Sequence, residues 1–142
     1  MFSKEESKRI RQEFWTSFGK SFPRKWILYN TNIKGFSLKF HFDTKQAFVS
    51  LDVEGDLEYR IIYWEKLISL KSILLNYYLP DANFEKAYIL ENGKEISRVS
   101  VKLISIVSIH NKNTWQETME FFNGTMGLFE DFFMEYKVVI KS

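Results

Sequence analysis

The sequence predicts an α+β fold: a mainly antiparallel sheet of about five strands with three helices, in the order αβββαββα. Three observations carry this. Apolar and polar residues alternate on both sides of a short polar turn at Thr44-Lys45, Asn92-Gly93 gives a hairpin signal between two further β-prone runs, and capping-box sequences at Ser3 and Thr114 precede apolar residues at helical spacing.

The first helix starts at Ser3-Lys4-Glu5-Glu6, where the hydroxyl can satisfy a free backbone N–H and the glutamate can reach back to the cap. Ile10, Phe14 and Phe18 form its apolar stripe with Trp15 beside them, and Gly19 and Pro23 close it. A short β-prone run at 26–29 follows, then a polar turn, then strands at about 35–43 and 46–54. With Thr44-Lys45 as the turn, Asp43 faces Gln46. Phe36, Leu38, Phe40 and Phe42 then share a face with Val53, Leu51, Val49 and Ala47, as a half-buried hairpin requires. The other face carries Ser37, Lys39, His41, Phe48, Ser50 and Asp52.

Asp56 is placed to cap a long helix over 57–78, whose wide apolar face implies packing on more than one side. Strands at 84–91 and 94–104 flank Asn92-Gly93, with Glu91 expected opposite Lys94 and a bulge near Leu103 or Ile104 where the alternation changes phase. Thr114-Trp115-Gln116-Glu117 opens the last helix, and Asn123-Gly124 predicts a kink or break in it, since the glycine costs about 1 kcal/mol relative to alanine.

A chain of 142 residues suits a single domain, spanning residues 1–142. The 45% hydrophobic and 27% charged fractions are those of a soluble globular protein, and no apolar run is long enough for a membrane helix. MFSKEESKRIRQEF lacks the apolar stretch of a signal peptide, so a cytoplasmic location is expected. Without cysteine there is no disulfide and no thiolate metal site.

Aromatic content is high, with 14 Phe, 7 Tyr and 4 Trp making 18% of the chain. Each ring buries on the order of 150–250 Å², so some aromatic surface is expected outside a small core, either as a self-association face or as a platform for stacked bases. The expected partner is therefore a second copy of the chain in a homo-oligomer. Met119, Met126, Phe129 and Phe133 on the last helix are the candidate partner surface, because a flexible Met and Phe face adapts to what it binds. Nucleic acid is the second candidate partner. Lys4, Lys8, Arg9, Arg11, Arg24 and Lys25, with Lys20, outnumber the three acidic residues of the first 25 positions and offer an electrostatic footprint for phosphates.

Catalytic patterns are sparse. Gly19-Lys20-Ser21 ends like a phosphate-binding loop, but position 14 is Phe where the motif needs glycine. His41 and His110 lack metal-ligand spacing, and no nucleophile elbow is present. The order αβββαβ is also that of a restriction-endonuclease-like core, whose hairpin carries an Asp followed by D/E-x-K, two carboxylates to hold Mg²⁺ and a lysine to activate water. Asp52 and Glu54 share a strand face here, but Asp56 stands where the lysine belongs. Lys39, on the neighbouring strand, is positioned to substitute. Asp52, Glu54 and Lys39 are thus the candidate catalytic set of a degenerate or rearranged Mg²⁺-dependent nuclease-like domain, while a non-enzymatic binding or adaptor module without a cofactor is the leading expectation.

The stretches FSKEE…RQEFWTSFGK, FPRKWILYNT, GFSLKFHFD, LENGKEISR and IHNKNTW…EFF together resemble a family of small bacterial proteins classed as a domain of unknown function. Some longer relatives place a similar domain behind a nuclease-like one. The resemblance therefore implies an accessory or recognition role linked to nucleic acid.

Overall fold

The computed structural model describes residues 2–142. It is an α+β fold with one four-stranded antiparallel sheet and four α-helices among the described residues. The order is α1 (Lys4–Ser21), β1 (Phe36–Phe42), β2 (Ala47–Val53), α2 (Leu57–Ser69), α3 (Lys71–Tyr77), β3 (Asn83–Ile89), β4 (Glu95–Lys102), a 3₁₀ turn (Lys112–Thr114) and α4 (Trp115–Lys141). The strands lie in the order β1-β2-β4-β3.

The count differs from five strands and three helices for two local reasons. Residues 26–29 run beside β1 but contribute a single backbone hydrogen bond, from Leu38 N to Leu28 O (3.0 Å). Leu28 then takes φ of 47°, which turns the chain away before a strand forms. The long helix expected over 57–78 divides at Leu70, where the Leu70 N–H reaches Leu67 O in a tight turn and the Ser69 hydroxyl bonds Lys66 O. No break occurs at Asn123-Gly124: α4 runs from Trp115 to Lys141 without interruption, with Phe122 and Met126 buried on either side.

Both helix caps at Ser3 and Asp56 form as expected, the first as a complete capping box. The β1–β2 register is also the expected one, from Phe36 opposite Val53 to Phe42 opposite Ala47. Its apolar face joins Val99 and Val101 of β4 and packs against Phe14 and Phe18 of α1, Trp64 and Leu67 of α2, Leu74 of α3, and α4. Most of the aromatic excess is accounted for inside this core. Phe14 meets Phe42, Trp115 and Phe122, and Phe18 meets Trp26 and Phe40, with centroids 4.7–6.3 Å apart and mostly edge-on, the favoured arrangement for aromatic quadrupoles.

Met119, Met126, Phe129 and Phe133, expected as a partner surface, are all buried in this core. Their helical spacing reflects the side of α4 that packs on the sheet, and none of the four is open to a partner.

Candidate functional site

The polar face of the sheet gathers side chains from three strands. Register places Ser37 of β1 and Arg98 of β4 on either side of Asp52 in β2, with Lys39 opposite Ser50 one step along. Arg98 donates two hydrogen bonds to Asp52, Nε to Oδ1 at 2.8 Å and Nη2 to Oδ2 at 2.9 Å, and the Asp52 side chain is 0% exposed. Such a bidentate pair fixes both groups in geometry as well as charge.

Lys39, Asp52 and Glu54 do converge. The Lys39 ammonium lies 3.6 Å from Asp52 Oδ2 and 3.3 Å from Glu54 Oε2, and Lys94 lies 2.8 Å from Glu54 Oε1. Burial opposes the charge on Lys39, but the two carboxylates outweigh it and hold its pKa above the usual lysine value. The hydrogen bond from Lys94, reinforced by Lys39 against a smaller effect of burial, holds Glu54 below the usual carboxylate range. Both shifts favour the charged forms of Lys39 and Glu54, within a network in which cationic and carboxylate side chains alternate. Its members do not suit a Mg²⁺ ion: both Asp52 oxygens are taken by Arg98, each Glu54 oxygen is taken by a lysine, and no trio of metal-donor residues occurs among the described residues.

An aromatic stack covers the cluster's other flank. The His41 ring lies on Phe48, centroids 4.1 Å apart and 10° from parallel, with its Nε2 2.8 Å from the Ser50 hydroxyl. Burial, with the positive charge of Arg98, lowers the His41 pKa to about 4, so the imidazole is neutral at pH 7. The Arg98 guanidinium sits 4.3 Å from the Tyr88 ring centre and 5.3 Å from that of Phe48. Beyond this stack lies a cavity of about 390 Å³ whose lining includes Glu91 of the β3–β4 hairpin and Asp43 of the β1–β2 turn.

Arg98 and Tyr88 had no mark in the sequence. Asp52 and Arg98 become neighbours only through the pairing of β2 with β4, strands separated by two helices and β3.

The basic residues near the N-terminus fall into two groups. Lys4, Lys8, Arg9, Arg11 and Lys25 are exposed and enter no ion pair among the described residues. Arg24 bonds the buried Glu130 at 2.7 Å and stacks over Trp26, while the second Glu130 oxygen accepts the Ile27 N–H at 2.6 Å. Arg24 therefore fastens the 22–27 segment to α4. Among the described residues no helix is long and apolar enough to cross a membrane.

No curated protein and no solved structure matches the chain. Residues 10–137, from the middle of α1 almost to the end of α4, match the family model described as Domain of unknown function (DUF4268). The chain belongs to the DUF4268 family.

Proposed function

We propose that the domain is a non-enzymatic binding or adaptor module that associates with a second copy of itself through the surface around Ile104 and Ile106. The observation that carries this reading is the exposure of those two side chains, 92% and 94%, beside a groove of about 340 Å³. The chain leaves the sheet after Lys102. Ser105 is then drawn to α4 by its hydrogen bond to Glu117 (2.6 Å), and Val107 is buried, which leaves the residues on either side of Ser105 projecting.

Tyr78, Pro80, Leu103, Phe121 and Leu128 line the groove, with Asp81 and Lys102 as its only charged residues. A projecting aliphatic pair next to an apolar groove, with one charge of each sign at hand, is self-complementary under a two-fold axis: each copy's isoleucines meet the other's groove and each Lys102 meets the other's Asp81. Full burial of each isoleucine is worth roughly 1.5–3 kcal/mol.

Sedimentation velocity from 1 to 100 µM tests the reading. A dimer that the Ile104→Asp, Ile106→Asp double variant converts to a folded monomer supports it. A wild-type monomer throughout that range overturns it.

A second reading, nucleic-acid binding, draws support from the unpaired cations Lys4, Lys8, Arg9, Arg11 and Lys25. Fluorescence anisotropy with labelled single- and double-stranded oligonucleotides should then show affinity falling steeply with salt; no binding at 20 mM salt removes it. Mg²⁺-dependent cleavage by Asp52 and Glu54 with Lys39 is the third, and requires Arg98 to withdraw from Asp52. It ends if wild type and Arg98→Ala are both inert with Mg²⁺ and with Mn²⁺.

A further inference from the structure

We infer that the cavity between the β1–β2 turn and the β3–β4 hairpin is a binding site for an organic cation, a guanidinium or alkylammonium group. Its walls include Trp15, His41, Phe48 and Tyr88, and its only charged lining residues are the carboxylates Asp43 and Glu91. Aromatic faces carry negative potential and attract a cation held within about 6 Å. The two carboxylates supply the counter-charge, and an anion would meet no basic lining residue.

The occupancy of both carboxylates agrees with this. Asp43 spends only Oδ1 on the turn, accepting the N–H groups of Lys45 (2.7 Å) and Gln46 (2.9 Å). Glu91 enters no hydrogen bond or ion pair among the described residues and is exposed on the hairpin loop. Arg98, Lys39 and Lys94 share the carboxylates of Asp52 and Glu54, which leaves that cluster one positive charge in excess against the two carboxylates that line the cavity. His41 is uncharged at pH 7 and contributes a neutral ring.

The site is separate from the Ile104 groove and does not depend on self-association. Two-dimensional amide NMR of the full chain at fixed ionic strength tests it with three probes: arginine methyl ester, tetramethylammonium chloride and sodium acetate. Saturable shifts centred on Phe48, Tyr88 and Glu91 are expected with a cation and not with acetate. The ester alone shifting these amides marks a site that needs N–H donors on the cation, and both cations doing so marks a general cation site. Glu91→Gln should weaken binding about tenfold and Tyr88→Leu at least as much, while Tyr88→Phe, which keeps the ring, should bind like wild type. The Glu91→Gln change lies on an exposed loop, so its result stands even if Tyr88→Leu disturbs Arg98. Equal shifts with acetate, no shift with either cation, or an unchanged Kd in Glu91→Gln overturns the inference.

Discussion

Asp52 and Arg98 face each other across β2 and β4, joined by two parallel hydrogen bonds of 2.8 and 2.9 Å, with the carboxylate wholly out of contact with solvent. Held this way, the aspartate that made the hairpin resemble a nuclease works as a fastening between strands. Arg98→Ala strands a buried charge and should cost about 3–5 kcal/mol in urea unfolding. Asp52→Leu with Arg98→Met should cost much less than the sum of the single changes. Additive losses would show that the pair does not act as a unit.

His41 gives stability a pH dependence of definite sign. Its folded pKa of about 4 lies below the ordinary value of 6.5, so the unfolded chain binds more protons between those limits. The contribution is fully present above pH 6.5 and declines as pH falls towards 4, with a slope of up to about 1.4 kcal/mol per pH unit. Urea midpoints measured at pH 7, 6 and 5 should fall accordingly. His41→Gln should remove that part of the slope, and an NMR titration placing His41 near 6.5 would contradict it.

Gly35 and Gly93 both have positive φ, 74° and 85°, yet their substitutions should differ in cost. A Cβ at Gly35 would stand 2.5 Å from the Glu54 carbonyl oxygen, whose own N–H bonds Gly35 O, while a Cβ at Gly93 would meet nothing within 4 Å. Gly93→Ala should cost about 1 kcal/mol, the ordinary penalty of that backbone conformation. Gly35→Ala should cost more, because the hairpin base must shift. Equal melting temperatures for the two variants would refute the distinction.

Arg24 and Arg11 separate structure from binding in the same way. Arg24→Ala releases Glu130, a buried carboxylate, and should lower stability by about 1–3 kcal/mol. Arg11→Ala, on the exposed side of α1, should change stability by no more than about 0.5 kcal/mol. If oligonucleotides bind, Arg11→Ala should reduce the slope of log affinity against log salt by about one.

The parts of the fold that follow from local chemistry were legible in the sequence. Ser3 and Asp56 cap their helices because the acceptor and the N–H lie within one turn, and the β1–β2 register follows from period-two apolar residues around a short turn. Where a residue has a choice of partners, tertiary contacts decide. Thr114 has the sequence of a capping box, but its hydroxyl donates to the Ser108 and Asn111 carbonyls and Glu117 turns to Ser105. Lys94 leaves Glu91 for Glu54, because the loop closes one residue off, with Leu90 N bonding Lys94 O and Gly93 in the left-handed conformation. Of the candidate catalytic set, Lys39, Asp52 and Glu54 were visible through their shared face. Arg98, which determines what Asp52 does, was hidden because the pairing of non-consecutive strands leaves no local pattern.

The sequence places a bulge near Leu103 or Ile104; the register shift lies instead in β3, between Glu85 and Tyr88, where the Lys86 carbonyl accepts from the Ser97 hydroxyl at 2.6 Å and from Arg60. β3 is an edge strand, and a straight edge is a template on which an unrelated extended chain can zip up. Interrupting the ladder midway leaves no continuous row of backbone groups for an incoming strand to match. On that side the fold resists runaway growth into fibres, whatever its side chains are built to hold.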